Sequence, residues 1–511
     1  MAESGQDEVI EFLSRGSSYG APSETPQRVD THISHVFLIG DRVFKVKRAV
    51  RFSFVDYSSL AARERFCRTE LALNRRTAPG LYRAVRAITR RRDGALEWDG
   101  SGPAVDFVVE MRRFDARDLF DRMAQENRLD RALVVKLADA IAAFHAAAET
   151  APSFGGSDSL RDVVADNHRY LSAAAPPLDR GAVDTLFAAS QATLGRRGPL
   201  LDARRVAGKV KRCHGDLHLR NICLFEGEPT LFDCIEFSDD IACIDVLYDI
   251  AFLLMDLEHR GLRMLGNAVF NRYLDRSPDE GGLAALPLML SIRAGVRAKV
   301  AVAASGSDAP SRTEADEAAA YLALACDVLK AEPPALIAVG GLSGSGKSTV
   351  AAGLAPGFAP APGARHLRSD VLRKTLMGVA PETRLPAEAY SAEMNAKVYA
   401  ALRASAVTTL KGGYTALVDA TFIDEAQRSD IEAAARDAGA PFRGLWLTAP
   451  DAVLLRRVEA RRGDASDAGR AVLLRQLSAA TGPIPWLPVD ASGNAEESLA
   501  LASAALKPLR T

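Results

Sequence analysis

The sequence predicts two domains of different fold class: an α+β domain in the N-terminal half, and an α/β domain with a parallel sheet in the C-terminal half. Three observations support this prediction. The chain has 511 residues, which is more than one ordinary hydrophobic core accommodates. Strand-like runs dominate the first 114 residues and long helical stretches follow, whereas the chain from about residue 335 alternates buried strands with helices.

The charge balance excludes a general affinity for polyanions. Lys and Arg together number 64 against 65 acidic residues, giving a formal charge of -1, so no overall positive field attracts nucleic acid or an acidic membrane. The first residues include several acids and no long apolar run. No segment approaches the roughly 18 uninterrupted apolar residues of a membrane helix. We therefore expect a soluble, cytoplasmic protein without nucleic-acid or membrane partners.

Cysteine usage indicates neither a disulfide framework nor a zinc module. The chain has 6 cysteines and no Cys-x-x-Cys pair. Four of them, Cys213, Cys223, Cys234 and Cys243, flank a polar motif described below, and the alternative for these four is a metal cluster. A free cysteine usually behaves as a small buried apolar residue, and we expect that behaviour here.

The N-terminal half begins with strand signals and continues as helices. Residues 31–48 read as a β-hairpin around Gly40-Asp41, residues 58–76 as a helix, and residues 105–114 as a buried strand. Helical spacing follows in "LVVKLADAIAAFHAAAE", where His145 adjoins the apolar face and is expected to be a packing residue. The predicted segments are an N-terminal extension (1–30), a strand-rich N-lobe (31–114) and a helical C-lobe (115–330).

The stretch "HGDLHLRN", residues 214–221, concentrates proton-handling and metal-binding side chains in one loop. Phosphoryl transfer needs an acid that takes the proton of the acceptor hydroxyl, and oxygen ligands for Mg²⁺. Asp216 fits the first role, and Asn221 and Asp233 fit the second. Asn221 follows Asp216 by five positions, as in the catalytic loop of protein kinases.

The same stretch resembles the H-G-D-x-H-x-x-N signature of the aminoglycoside phosphotransferase and choline kinase superfamily, whose fold is similar to that of protein kinases. The resemblance covers roughly residues 30–330. It implies that Asp216 is the catalytic base, that Asn221 and Asp233 hold Mg²⁺, and that His214 and His218 brace the loop. It also implies that Asp249 supports the loop, where the alternative is a plain acid on a helix surface.

This resemblance extends to the nucleotide site. It implies that Lys45 in "RVFKVKR" grips the α and β phosphates of ATP and that Glu70 is its ion partner, with Lys47 and Glu64 as alternatives on the same elements. The backbone of "VEMR", with Glu110 and Met111, would form the hinge that meets adenine. The sequence departs from protein kinases in one respect, because no G-x-G-x-x-G precedes the hairpin.

A second domain is predicted from residue 331 to 511. Pro333-Pro334 cannot continue a helix, and "ALIAVGG" starts a buried strand. The pattern G-x-x-x-x-G-K-[ST] follows between strand and helix, which is the context that a phosphate-binding loop requires. Its backbone N-H groups surround phosphate oxygens, its Lys reaches the β and γ phosphates, and its Ser hydroxyl binds Mg²⁺. The predicted nucleotide-binding residues are Gly341, Ser343, Gly344, Ser345, Gly346, Lys347, Ser348 and Thr349.

Further side chains in this domain suit phosphoryl transfer. Asp370 in "HLRSDVLRK" is a candidate proton acceptor and Arg373 a candidate partner for the acceptor, although a helix N-cap also explains an acid at this position. Asp419 ends the apolar run "TALVD" and is predicted to hold Mg²⁺ with Ser348. Lys347 is also a candidate catalytic residue. Arg457 and Arg461 are predicted to lie in a lid that neutralises charge on the transferred phosphoryl group. The alternative is that they lie on a solvated basic face of a helix.

Residues 335–511 resemble the P-loop small-molecule kinases, a group that contains gluconate kinase, chloramphenicol phosphotransferase, zeta toxins and polynucleotide 5'-kinases. The whole chain is similar to bacterial fusions of an aminoglycoside-phosphotransferase-like module with a P-loop ATPase. The resemblance implies a P-loop NTPase fold and a bifunctional kinase with two ATP-Mg²⁺ sites, acting on hydroxyl groups of small molecules. The alternative is one kinase in the N-terminal half that is regulated by nucleotide binding in the C-terminal half. A nucleic-acid 5'-kinase is disfavoured by the charge balance.

Overall fold

The computed structural model describes residues 6–52, 55–174, 178–303, 311–460, 466–479 and 481–507. The chain forms two compact units. One consists of the chain up to Ser159 together with Arg204–Leu253, and the other of Leu160–Ala203 together with the chain from Leu254 onward.

The strands up to residue 245 all belong to the first unit. They are β1 (Gln27–Asp30), β2 (Ser34–Ile39), β3 (Arg42–Lys47), β4 (Arg51–Phe52), β5 (Val55–Asp56), β6 (Tyr82–Arg90), β7 (Leu96–Trp98), β8 (Ala104–Arg112), β9 (Val210–Arg212), β10 (Ile222–Phe225), β11 (Glu228–Leu231) and β12 (Cys243–Asp245). Six of them form an antiparallel sheet in the order β1-β2-β3-β8-β6-β7. The predicted hairpin is present, with Ile39 opposite Arg42.

The helices that begin before residue 260 are α1 (Asp7–Leu13), α2 (Leu60–Asn74), α3 (Phe120–Gln125), α4 (Arg131–Ala147), α5 (Gly156–Ala173), α6 (Arg180–Val206), α7 (Asp239–Ala242) and α8 (Val246–His259). Helix α2 starts where the Ser59 hydroxyl accepts the Ala62 N-H, at 3.2 Å. Such caps satisfy N-H groups that lack a partner within the helix. The predicted helix over 58–76 is thus confirmed.

Both faces of the central strand β8 are buried. Val108 of β8 belongs to an apolar cluster that receives Val9 and Leu13 of α1, while its neighbours Phe107 and Val109 pack in another cluster with Cys67 of α2. Successive side chains of a strand point to opposite faces. The central strand β8 therefore lies between two cores, and α2 packs against one of its faces.

The polar loop 214–221 lies between β9 and the antiparallel hairpin β10-β11. Strand β9 pairs with β12, which leads directly into α8. Asp233 follows β11 after one residue. The hairpin therefore returns the chain to the loop, as the sequence predicts for Asp233.

The second unit contains a parallel sheet with helices between its strands. The strands are β13 (Leu336–Gly341), β14 (Arg365–Arg368), β15 (Ala416–Asp419), β16 (Phe442–Thr448) and β17 (Leu487–Asp490). Most of α5 and α6 also belongs to this unit. The helices that begin after residue 260 are α9 (Arg263–Arg276), α10 (Leu286–Ala303), α11 (Arg312–Asp327), α12 (Lys347–Leu354), α13 (Ser369–Leu376), α14 (Ala392–Lys411), α15 (Glu425–Asp437), α16 (Asp451–Ala460), α17 (Arg470–Ser478) and α18 (Ala495–Ala505).

The strand order is β14-β15-β13-β16-β17, and every pairing is parallel. Leu336 and Ala338 of β13 pack in one apolar cluster, and Ile337 and Val339 in another on the opposite face. Burial on both faces explains why these strands are continuous apolar runs in the sequence. Ligands of such sheets bind at the carboxyl ends of the strands, which places the expected site after β13, β14 and β15.

All six cysteines are free, and five of them are buried. The expectation of buried, unpaired cysteines is confirmed for the four residues around the polar loop.

Within the described ranges, no helix is both long and apolar enough to cross a membrane.

Candidate active sites

The first candidate site is built around Lys45 on β3. Its Nζ donates to Glu70 Oε1 at 2.9 Å and to Asp233 Oδ1 at 2.6 Å. Glu70 lies on α2 and is fully buried, and Asp233 follows the hairpin β10-β11. The structure thus brings together three side chains that the sequence assigned to one nucleotide site.

Lys47, the alternative lysine, joins the same network. It lies on the same face of β3, two residues along, and its Nζ donates to Glu70 Oε2 at 2.7 Å and to Glu236. Glu64, the alternative acid, is half exposed and pairs with Arg68 on its own helix. Both lysines therefore bind Glu70, while Lys45 is the one that also contacts Asp233.

The network carries more negative than positive charge. Two lysines, Lys45 and Lys47, face three carboxylates, Glu70, Asp233 and Glu236. Burial acts to raise the pKa of Glu70, but the two ammonium groups outweigh it and lower that pKa to about 2. Burial acts to lower the pKa of Lys45, yet the charges of Asp233 and Glu70 raise it well above its ordinary value. The surplus carboxylate charge suits an added cation.

The loop 214–221 holds Asp216 in a defined position. Asn221 Nδ2 donates to the Asp216 carbonyl oxygen at 2.9 Å and to its carboxylate Oδ2 at 2.8 Å. His218 Nε2 lies 3.3 Å from the same carboxylate oxygen. Because the amide nitrogen of Asn221 faces Asp216, its amide oxygen is directed elsewhere. Carboxylate and amide oxygens are the ligands that Mg²⁺ prefers, so Asn221 and Asp233 fit the predicted ion by their chemistry.

Asp249 on α8 supports this loop from beneath. It is fully buried and accepts the backbone N-H groups of His214 at 3.1 Å and Gly215 at 2.9 Å. His145 Nε2 lies 3.0 Å from the same carboxylate. Cys213 also lies close to His145 and Asp249. Since the Asp249 oxygens already accept these hydrogen bonds, the group serves as a brace for the loop, which agrees with the family resemblance.

The predicted adenine hinge lies within the sheet. Glu110 and Met111 belong to β8 and pair with β3 on one side and β6 on the other. The Glu110 carboxylate accepts from Arg86 Nη1 at 3.0 Å. The chain leaves the sheet just after these residues, so contact of this backbone with adenine stays a prediction.

The second candidate site begins at the end of β13. Gly344 and Gly346 have left-handed φ values of 86° and 87°, which strain any residue with a Cβ. A Cβ on Gly344 would lie 2.7 Å from the Leu454 carbonyl oxygen. Gly346 is the N-cap of α12, which begins at Lys347. This loop therefore presents backbone N-H groups at a helix N-terminus, the arrangement that binds phosphate.

Lys347 is folded back onto its own loop, where Nζ donates to the Leu342 carbonyl oxygen at 3.0 Å. The next residue, Ser348, donates its hydroxyl to Asp419 Oδ2 at 2.5 Å. Asp419 ends β15 and pairs in register with Val339 of β13, so the parallel sheet brings the two predicted metal ligands together. A hydroxyl and a carboxylate oxygen fit Mg²⁺ by their chemistry.

Asp419 is held in its ionised form. Burial acts to raise its pKa, but the neighbouring His366 and the positive charges of Lys347 and Arg368 outweigh it and lower the pKa to about 2. The nearest nitrogen of His366 is 3.4 Å from Asp419 Oδ2, and that of Arg368 is 4.0 Å away. The site therefore keeps a negative charge beside the phosphate loop.

Asp370 lies in the first turn of α13, which begins at Ser369 after the N-cap residue Arg368. Neither Ser369 nor Asp370 is thus the N-cap, so the capping alternative does not account for this acid. Burial raises the pKa of Asp370. Arg373 is buried; its Nη1 donates to the Ala389 carbonyl oxygen at 2.9 Å, and its guanidinium lies 4.7 Å from the Tyr390 ring centre.

These groups line one cavity of about 1000 Å³. The sequence-predicted residues on its wall are Ser343, Gly344, Gly346, Lys347, Ser348, Thr349, Asp370, Arg373 and Asp419. Gly341 ends β13 and the buried Ser345 completes the loop behind them.

The predicted lid arginines are not both described. Arg457 on α16 donates through Nη1 to the Ala491 carbonyl oxygen at 2.7 Å and through Nη2 to that of Gly493 at 2.5 Å. These bonds anchor α16 to the loop after β17. Arg461 lies outside the described residues. A lid role for either arginine stays a prediction.

Sequence reasoning missed several residues around both sites. Glu236 lies three residues after Asp233, and its acidic side chain in an apolar run was the available signal. Gln476 on α17 accepts the Ser343 N-H at 2.9 Å. Arg428 is fully buried and donates to the carbonyl oxygens of Phe422, Ile423, Thr481 and Pro483, thereby joining two loops of the cavity wall. No local motif marks Gln476 or Arg428.

Two family models match separate parts of the chain. Residues 35–286 match the phosphotransferase enzyme family, and residues 336–483 match an AAA domain. The chain is an ATP-dependent phosphotransferase. Its N-terminal part has the kinase-like fold of the aminoglycoside phosphotransferases and its C-terminal part a P-loop kinase fold, so the predicted fold classes are confirmed.

Full-length relatives of this phosphotransferase exist in mycobacteria. The uncharacterized proteins Rv2004c of Mycobacterium tuberculosis and Mb2027c of Mycobacterium bovis are each 29% identical over 482 residues, covering 92% of this chain and 93% of the relative. Both halves therefore occur together in these relatives.

Two solved structures are similar to parts of the chain. A choline/ethanolamine kinase family protein from Mesorhizobium loti is 12% identical, with a TM-score of 0.38, covering 63% of this phosphotransferase and 99% of that chain. A gluconokinase from Sinorhizobium meliloti is 21% identical, with a TM-score of 0.26, covering 35% and 95% respectively.

Proposed function

We propose that this protein is a bifunctional small-molecule kinase in the cytoplasm, with one ATP-Mg²⁺ site in each half. Each half transfers the γ-phosphoryl group of ATP to a hydroxyl group of an acceptor. The observation that supports the proposal is that each half contains the same kinds of groups: an acid that can accept a proton, a lysine for phosphates and two oxygen ligands for a metal ion. These are Asp216, Lys45, Asn221 and Asp233 in one half, and Asp370, Lys347, Ser348 and Asp419 in the other.

In the N-terminal half, Asp216 accepts the proton of the acceptor hydroxyl as the new bond to phosphorus forms and the bond between the γ-phosphorus and the β-phosphate oxygen of ATP breaks, which releases ADP. Asn221 and His218 keep its carboxylate in place through the contacts described above. Lys45, fixed by Glu70, binds the phosphates of ATP. The Mg²⁺ ion, held by Asn221 and Asp233, would supply positive charge to the bridging phosphate oxygens.

In the C-terminal half, the backbone N-H groups of the loop between β13 and α12 bind the phosphates. Lys347 leaves the Leu342 carbonyl and turns to the β and γ oxygens. Asp370 accepts the hydroxyl proton, and its raised pKa makes it a stronger base than an ordinary aspartate. Arg373 lines the same cavity and holds an acceptor that carries a polar or anionic group.

The test is an ATP-consumption screen with a pool of metabolites and antibiotics, using the wild type, Asp216→Ala and Lys347→Ala. We expect each variant to lose turnover of its own acceptors, by about 10²- to 10⁴-fold for the loss of a base, while the other half keeps its activity. Glu64→Gln, on the surface of α2, is the matched control and should change neither.

The outcomes separate the two readings of the fusion. If only Asp216→Ala changes turnover and Lys347→Ala alters no acceptor, the C-terminal half regulates a single kinase. If neither variant changes the turnover of any acceptor, the proposal is wrong.

A further inference from the structure

Helix α9 supplies hydrogen bonds to the edge of the parallel sheet. Strand β14 is an edge strand, whose outer N-H and C=O groups need partners. The Ala364 carbonyl oxygen accepts from Asn267 Nδ2 and from Asn271 Nδ2, each at 3.1 Å. The His366 N-H donates to Asn271 Oδ1 at 2.7 Å. Two asparagine side chains of one helix thus take the place of a missing strand.

A buried ion cluster fixes the same contact. Arg365 of β14 is 3% exposed. It donates through Nη1 to Asp275 at 2.7 Å and through Nε to Glu280 at 3.1 Å. Asp275 lies on α9, and Glu280 follows it. Removing one partner of a buried pair leaves an uncompensated charge, so this junction resists sliding or opening.

The strand that α9 holds leads directly to the predicted metal ligands. His366 Nε2 lies 3.4 Å from Asp419 Oδ2, and the same carboxylate oxygen accepts the Ser348 hydroxyl. Three successive contacts therefore connect Asn271 with Ser348, through His366 and Asp419. Helix α9 belongs to the part matched by the phosphotransferase family, whereas β14 belongs to the part matched by the AAA domain.

We propose that Asn271 is a positioning residue for the metal-holding side of the P-loop site, acting by fixing His366 beside Asp419. The inference rests on the proposed use of this half as an ATP-Mg²⁺ site. Groups that orient a metal ligand from behind control its affinity for the ion, and their loss typically costs 10- to 100-fold. The backbone loop that binds the phosphates does not take part in the contacts of α9, so nucleotide binding without metal is unaffected.

The test measures how much Mg²⁺ strengthens the binding of a non-hydrolysable ATP analogue to the full-length protein. Only the binding that Lys347→Ala removes is counted, since this isolates the C-terminal site. We expect Asn271→Ala to reduce the gain from Mg²⁺ about tenfold while leaving binding without Mg²⁺ unchanged. Met264→Ala is the matched control, because Met264 is exposed on the same helix and should change neither value.

A second variant and a second readout guard against loss of folding. Asn271→Asp retains an acceptor oxygen for the His366 N-H and should keep most of the Mg²⁺ gain. Hydrogen exchange should accelerate in residues 364–368 of Asn271→Ala and stay slow in the other strands of the sheet.

Faster exchange at β14 with an unchanged Mg²⁺ gain would overturn the inference, and so would an equal loss in Met264→Ala. The absence of any Lys347-dependent binding would overturn it as well. The proposed function fails on a different result, which is product formation that is insensitive to Lys347→Ala even though Mg²⁺-dependent binding persists.

Discussion

The two candidate sites differ in what prepares them for a nucleotide. In the N-terminal half, five charged side chains from β3, α2 and the segment after β11 face one another in a largely buried network. In the C-terminal half, the binding groups are mainly backbone N-H groups of a loop whose glycines adopt left-handed conformations. A site made of side chains depends on which residues are present, whereas a site made of backbone depends on its shape. The two halves should therefore respond to different kinds of substitution.

The largest effect is expected for the base of the C-terminal half. Asp370→Asn retains the shape of the side chain but cannot accept a proton, so turnover of acceptors assigned to this half should fall about 10²- to 10⁴-fold. Turnover by the N-terminal half should be unchanged. Asp424→Asn is the matched control, since it lines the same cavity and asparagine preserves its N-cap role on α15. Steady-state kinetics with each acceptor measure the change in turnover. Full activity in Asp370→Asn would show that another group accepts the proton of the acceptor hydroxyl.

A charge substitution should affect the N-terminal half through its stability. Glu70→Gln removes the carboxylate that accepts from both Lys45 and Lys47, and losing a hydrogen bond between charged groups costs about 1.5–3 kcal/mol of unfolding free energy. Urea denaturation measures the change. Glu64→Gln, on the same helix but half exposed, should have little effect. Equal effects of the two substitutions would contradict the network described above.

A shape substitution should affect the C-terminal half. Gly344→Ala places a Cβ 2.7 Å from the Leu454 carbonyl oxygen in a left-handed conformation, at a cost of about 1–3 kcal/mol. We expect nucleotide affinity at this site to weaken about 10- to 100-fold, as measured by calorimetry. Gly195→Ala, where a Cβ meets open space, should leave affinity unchanged. If Gly344→Ala binds as the wild type does, the backbone account of this site is wrong.

The C-terminal half should lose activity as the pH falls. Burial raises the pKa of Asp370, so this carboxylate takes up its proton at a higher pH than an ordinary aspartate does. As pH falls through that raised pKa, the base is lost and kcat/KM of the C-terminal half declines about tenfold per pH unit. A pH-rate profile of each activity tests this expectation. If the residual activity of Asp370→Asn declines at low pH in the same way as the wild-type activity does, another group is responsible for the decline.

The smallest effect is expected for Arg457. Because its guanidinium donates to the carbonyl oxygens of Ala491 and Gly493, Arg457→Ala should reduce kcat of the C-terminal half only a few-fold, through a loosened α16. A direct role in neutralising the transferred phosphoryl group would instead cost about 10²-fold or more. The kcat of this variant with a saturating acceptor distinguishes the two roles.

Groups close together in the sequence were predictable because local spacing fixes their geometry. The loop from Gly341 to Ser348 and the pair Asp216 and Asn221 are of this kind, and so is the hairpin that carries Lys45. Strand periodicity alone does not decide which of Lys45 and Lys47 contacts Asp233, since residues two apart on a strand share one face. The choice depends on how a segment 188 residues away folds back.

Contacts between distant elements escaped prediction for the same reason. Gln476 binds Ser343 across 133 residues, and Asn271 binds His366 across 95. Neither side chain lies in a motif, because the hydrogen bond each makes depends on which helix packs beside which strand. Parallel sheets assemble from segments far apart in the chain, so their edges and surroundings are decided by tertiary packing.

The asparagine-lined contact between α9 and β14 also bears on how this protein can be divided for study. A fragment starting at residue 331 keeps the whole AAA-matched region but leaves Arg365 without Asp275 and Glu280, and strips the outer groups of β14 of their acceptors and donors. Such a truncated chain would expose an edge strand whose unpaired backbone groups can bind other copies of the chain. A fragment that begins before Arg263, rather than in the Pro333-Pro334 segment, retains α9 and keeps this edge strand covered.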